Sequence, residues 1–140
     1  MTHIRVRPVA AGLLAATLAL LSGCAPSTEF AIFEREQTAS DVLPDSFSGL
    51  ELSKDSLESS RLSGTYGDLT IYLVRGGDAP GGLAPCLAID AASGPGVFCG
   101  GIDGEVSTRF PGGTVIELVG DREPEDAGWT SVGPNVRARN

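Results

Sequence analysis

The clearest pattern in the chain is an apolar–polar alternation on both sides of Gly67-Asp68. Pairing Tyr66 with Leu69, Gly64 with Ile71 and Leu62 with Leu73 sets those residues on one face, and Ser63, Thr65, Thr70 and Tyr72 on the other. A slip of one residue would turn a strand's side chains to the wrong face, so a register that satisfies both strands predicts an antiparallel hairpin over 61–75. Gly67 takes the first turn position, where positive φ is needed.

A second hairpin follows the glycine-rich stretch 76–82. Cys86 opposite Cys99 pairs Leu87 with Phe98 and Ala88 with Val97, with Asp90 to Pro95 as the turn and Leu87, Ile89 and Phe98 toward the core. A third strand pair flanks Pro111-Gly112-Gly113, over 105–110 and 114–119. Trp129 to Val132 reads as a last short strand, broken by Gly133-Pro134 ahead of a polar tail. Helical signals are brief. Thr38 can cap one turn over 39–43 that Pro44 ends, and Asp55 and Glu58 have capping-box spacing for another. The expected fold is mainly β, bordering on α+β: a single antiparallel sheet of about five to seven strands with one or two helical turns on its face.

The N-terminal pattern is of another kind. Arg5 and Arg7 precede an apolar run from Val9 to Leu21, which ends in Leu21-Ser22-Gly23-Cys24. A basic start, a short apolar run and small residues at a processing site describe an export signal helix. The run is also short of the ~20 apolar residues a bilayer span needs. Leu21-Ser22-Gly23-Cys24 resembles the lipobox of bacterial lipoproteins, which implies that Cys24 is acylated and becomes the new N-terminus. The order of a hairpin, then Cys-Leu-Ala to Phe-Cys-Gly-Gly, then a late tryptophan strand resembles small uncharacterised lipoproteins of high-GC Gram-positive bacteria; that resemblance implies no activity. The expected organisation is a signal peptide over 1–23, a lipidated tether over 24–37, with Phe30, Ile32 and Phe33 apolar enough to dock, and a disulfide-stapled β domain over 38–140. The expected place is the extracytoplasmic face of the cell membrane, held by lipid.

Composition then removes function classes. Without Arg5 and Arg7, eight basic residues face 18 acidic ones, a formal charge of −10. That offers no electrostatic footprint for nucleic acid, and anionic headgroups would repel it, so the acyl chains must supply the membrane affinity. The only histidine, His3, lies in the signal segment, which leaves the processed chain without imidazole for triad catalysis or zinc ligation. In an oxidising compartment Cys86 and Cys99 are expected to pair, and with Cys24 acylated no free thiol remains.

The remaining constellations are thin. Asp121 and Glu123-Pro124-Glu125-Asp126 lack the alternating oxygen ligands and central glycine of a calcium loop and read as a solvated acidic loop, as Asp103-Gly104-Glu105 reads as a turn. The glycine doublets lack a following Gly-Lys-Ser/Thr and a long helix, which leaves them as turn residues rather than a phosphate loop. Ser53, Lys54 and Ser56 could be imagined as a dyad, but Lys54 reads as an exposed charge. Trp129 is expected in the core near the disulfide. These readings favour a non-catalytic interaction module with an envelope protein partner and no cofactor or metal. A small-molecule or cation-binding lipoprotein is the alternative, and a hydrolase using carboxylates the third. The expected contact residues are Tyr72, on the polar face of the first hairpin, and Asp78-Ala79-Pro80 in the glycine-rich loop, since loops on rigid sheets commonly carry binding.

Overall fold

The computed structural model describes residues 30–76, 84–100, 106–121 and 126–140, and these form a β-sandwich with a third, irregular layer. Eight strands divide equally between two antiparallel sheets rather than sharing one. The first holds β1 (Arg61–Tyr66), β2 (Leu69–Gly76), β3 (Ala84–Asp90) and β4 (Gly96–Cys99) in sequential order. The second holds β5 (Ser107–Arg109), β6 (Val115–Leu118), β7 (Thr130–Gly133) and β8 (Val136–Arg139) in the order β5-β6-β8-β7.

The central strands explain the layering. On one face of β2 and β3 lie Ile71, Leu73, Leu87 and Ile89; on the other lie Tyr72, Val74, Cys86 and Ala88, and all eight are buried. A sheet apolar on both faces needs two covers. The first face packs against Val106, Ile116, Leu118, Val136 and Ala138 of the second sheet and its flank, with Ile32 closing the cluster. The second face is covered by Phe47, with Leu43 and Leu52 packed around it.

Tyr72 therefore belongs to this second core, 8 % exposed and edge-on to Phe47 at 6.4 Å. This corrects its expected place on a solvent-facing polar surface. The face opposite the main core is itself a core, because residues 38–60 lie over it.

The hairpin registers come close to expectation. In β1 and β2, Tyr66 pairs with Leu69 and Gly64 with Ile71, and Gly67 has φ +61°. A bulge at Ser63 then shifts the ladder, so Leu62 faces Tyr72 rather than Leu73. One extra residue reverses the alternation beyond it, which is why Leu62 packs on the Phe47 side. In β3 and β4 the pairs Cys86–Cys99, Leu87–Phe98 and Ala88–Val97 form as expected. Cys86 and Cys99 are disulfide-bonded with Cα atoms 4.3 Å apart.

The covering layer is built from short turns. Thr38 caps a 3-10 turn over Ala39–Asp41 through a capping box with Asp41, another 3-10 turn spans Asp45–Gly49, and α1 spans Lys54–Ser59. The cap of α1 is Ser53, whose hydroxyl accepts the Ser56 N–H at 3.1 Å, rather than Asp55. Ser56 Oγ donates to the Arg75 carbonyl and the Arg75 N–H donates to Ser59 Oγ, which docks α1 on the end of β2. Lys54 is exposed and, among the described residues, pairs only with Glu58, at 3.5 Å, so the side chains imagined as a Ser-Lys dyad serve helix capping, docking and surface charge.

The residues after Gly133-Pro134 are a strand, not a polar tail. Pro134 and Asn135 form a turn with Asn135 at φ +65°, an arrangement that suits proline first and a left-handed residue second. β8 then pairs with both β6 and β7. At the corner where the sheets meet, β1 and β7 approach closely: a Cβ on Gly64 would lie 2.5 Å from the Val132 carbonyl oxygen, and one on Gly133 would collide with the Ser63 carbonyl. Ser63 Oγ donates to the Pro134 carbonyl at 2.6 Å across this corner.

Candidate functional site

The β7–β8 turn closes one end of an open cleft of about 400 Å³, lined among others by Asp121, Asp126, Trp129, Asn135 and Arg137. Asn135 is buried and organises it. Its Nδ2 donates to the Val119 carbonyl at 3.1 Å and to Asp121 Oδ1 at 2.7 Å, while the Val119 N–H donates to the Asn135 carbonyl. Its Oδ1 is buried with no hydrogen-bond partner among the described residues. Asp121 turns its other oxygen to the Ala31 N–H at 2.9 Å, so it joins the 3-10 turn over Ala31–Phe33 to the cleft.

Beside the cleft lies the outward face of the second sheet. β8 alternates strictly: Val136 and Ala138 are buried in the core, and Arg137 and Arg139 point away. Arg137 donates to Glu117 at 2.6 Å and to Asp126 at 3.0 Å. The bond to Glu117, reinforced by both carboxylate charges, holds its pKa above even the ordinary arginine value. Trp129 is half-buried on this face. The Arg137 and Arg139 guanidinium carbons lie 4.6 and 4.3 Å from its ring centroid, a cation–π geometry. Trp129 therefore stands on the far sheet, not in the core beside the disulfide as expected.

In register with Arg139 come Val115 on β6 and then Arg109 on β5. Directly opposed residues of an antiparallel pair project to the same side. Val115 is nevertheless 8 % exposed, with an arginine on each flank whose apolar stem can shield it. Among the described residues neither Arg109 nor Arg139 has a carboxylate partner.

Both cleft carboxylates are engaged: Asp121 by Ala31 and Asn135, Asp126 by Arg137. Among the described residues no three His, Cys, Asp or Glu side chains converge as a metal-ligand set.

A second charged cluster is structural. Asp41 is 1 % exposed and binds Arg35 Nη2 at 2.7 Å, the N–H and hydroxyl of Thr38, and the Leu62 N–H. Arg35 first, with Thr38 and Leu62 adding to it, holds the carboxyl far below the usual carboxylate range against the opposing effect of burial. Arg61, 7 % exposed, donates to the carbonyls of Arg35, Glu58 and Ser60, and burial lowers its pKa. These two groups weld residues 35–41 and α1 to β1.

Of the residues singled out from sequence, Cys86 and Cys99 come together as a staple, with Cys86 in the covered core and Cys99 exposed on the edge strand, and Tyr72 is removed from the surface. Cys24, Asp78, Ala79, Pro80 and the segments 103–105 and 123–125 lie outside the described residues. Sequence reading passed over Arg109, Arg137 and Arg139. The period-two pattern Val136-Arg137-Ala138-Arg139 is a strand signal, and it would have exposed the last two. No helix among the described residues is long and apolar enough to cross a membrane. No protein-family model, curated protein or solved structure matches the chain.

Proposed function

We propose that this protein is an exported lipoprotein, acylated at Cys24 and held at the extracytoplasmic face of the cell membrane, whose β-sandwich serves as a non-catalytic interaction module. The observation that carries the reading is the N-terminal sequence, a basic start and an apolar run ending in Leu21-Ser22-Gly23-Cys24. Three features of the domain support contact over catalysis. Its buried carboxylate is tied to structural donors, its cysteine pair is bonded, and its distinctive side chains are a tryptophan and arginines on an open sheet face. Contact surfaces are enriched in these two residue types.

Intact-mass measurement of protein purified from membranes tests this directly. The expected mass is that of a chain beginning at Cys24 plus acyl groups, and Cys24→Ala should release the folded domain. A chain that retains Met1 and carries an unmodified Cys24 overturns the reading.

The cleft at the β7–β8 turn favours a second reading, small-molecule capture. It predicts a melting temperature that climbs with ligand concentration as RT ln(1 + [L]/Kd).

A further inference from the structure

The domain carries its charge asymmetrically. Residues 38–60, which cover the outer face of the first sheet, contain five carboxylates and one lysine; Asp45, Glu51, Asp55 and Glu58 are all exposed. The opposite side of the sandwich is the outward face of the second sheet. There Arg109 and Arg139 flank Val115, and Trp129 lies against Arg139 and Arg137. Glu117 and Asp126 neutralise Arg137, which leaves Arg109 and Arg139 as cations without a carboxylate partner among the described residues. A chain of strongly negative net charge thus presents, among its described residues, a face that joins two arginines free of carboxylate partners to a tryptophan, two sheets away from its acidic layer.

We propose that this face is a membrane-apposed surface: Arg109 and Arg139 lie against the anionic phospholipid headgroups of the bilayer that holds the anchor, with Trp129 at headgroup depth. The inference rests on the lipid-anchored reading above and adds an orientation to it. Chain length supports it. Only six residue steps separate Cys24 from Phe30, a reach of at most about 20 Å even if fully extended. The described residues begin at Phe30, and the Ala31 N–H is bonded to Asp121 on the loop that follows β6. The anchor therefore holds the domain close to the bilayer by the end from which the second sheet is reached.

Charge complementarity supplies the rest. Each arginine near an anionic surface is worth about five-fold, and the two together about 30-fold, within a Debye length of about 10 Å. That is too little to bring an acidic protein to a membrane unaided. It is enough to select one orientation of a domain already tethered there, while the acidic layer is repelled outward. Tryptophan favours the headgroup level because its ring is apolar and its N–H polar.

Trp129 is the single tryptophan of the chain and reports on this contact itself. The full acylated protein is reconstituted in vesicles of phosphatidylcholine alone and in vesicles that also contain phosphatidylglycerol, both doped with a headgroup-spin-labelled lipid. Acylation is verified by mass first, so an unmodified Cys24 refutes the anchor and is not mistaken for a failed orientation. The expected result is several-fold stronger quenching of Trp129 on the anionic vesicles, with the difference lost in high salt. Arg109→Gln, on a strand that does not contact Trp129, should remove about half of that preference on a logarithmic scale, and adding Arg139→Gln should abolish it. Unchanged melting temperatures confirm that both variants are folded. Acylated protein that is quenched equally on both lipids, or a preference that survives both substitutions, overturns the orientation and leaves the anchor standing.

Discussion

The Oδ1 atom of Asp41 accepts the N–H of Leu62 at 2.8 Å, one residue before the bulge in β1. The same carboxylate receives Arg35 and both polar groups of Thr38, so a single side chain fixes the covering layer to the edge of the first sheet. Asp41→Asn should cost about 1.5–3 kcal/mol, the worth of hydrogen bonds to a charged group. The pH dependence has a definite sign. Because the folded pKa lies below the unfolded one, the stabilisation is complete above about pH 4 and is lost as pH falls toward the folded value. Urea midpoints measured downward from pH 5 should fall steeply in the native protein and flatten in Asp41→Asn. Parallel slopes would show that Asp41 is not the group titrating.

Tyr72→Ala should destabilise the domain by about 3–5 kcal/mol, the cost of deleting a large buried aromatic. The ring packs against Phe47 in a core of Val74, Cys86 and Ala88. Burial, followed by the charges of Asp90 and Asp41, raises the tyrosine pKa, so the same site should lose stability as pH rises above about 10. A Tyr72→Ala melting curve superimposable on the native one would place the ring at the surface after all.

Replacing both Cys86 and Cys99 with alanine should lower stability by about 2–4 kcal/mol and leave the strand pairing intact. The bridge joins residues 13 apart across β3 and β4, whose ladder already sets the two Cα atoms side by side. Chemical denaturation checks the magnitude, and retained amide protection in β3 checks the fold. A collapse of that protection would mean the bridge creates the pairing rather than fastening it.

Gly133→Ala should cost about 1–3 kcal/mol, because the added Cβ collides with the Ser63 carbonyl and must push β7 away from β1. Gly120→Ala is the matched control, since a Cβ there meets nothing within 4 Å. Thermal unfolding of the pair distinguishes a tight corner from a general intolerance of alanine. Equal melting points would mean the sheets do not meet as closely as the structure has them.

Much of the β architecture was legible because alternation carries it. The pairs Tyr66–Leu69 and Cys86–Cys99 follow from matching faces across a turn, and each forms. What alternation does not show is the partner on the other side. Tyr72 reads as polar-face because Ser63, Thr65 and Thr70 share its face, yet Phe47 from an irregular stretch lies over it. The bulge at Ser63 is invisible for the same reason: nothing in Leu62-Ser63-Gly64 announces an extra residue, and its value comes from the bond to Pro134. The basic face was hidden by charge itself. Arg137 and Arg139 make the final stretch look like a solvated tail, although Val136 and Ala138 between them are core.

The place of β8 bears on the order in which the domain can fold. It is reached last along the chain, yet it lies inside its sheet, between β6 and β7. The first sheet can pair in chain order and its disulfide can close without any residue of the second sheet. The second sheet cannot: among the described residues β7 has no ladder partner other than β8, and Val136 and Ala138 are missing from the shared core until β8 joins it. A chain that folds from its N-terminal side should therefore pass through a stapled but half-built intermediate with the inner face of the first sheet uncovered. Such exposed apolar surface is prone to aggregate and is what chaperones bind. A chain stalled or clipped just short of Val136 would stay in that vulnerable state and be cleared.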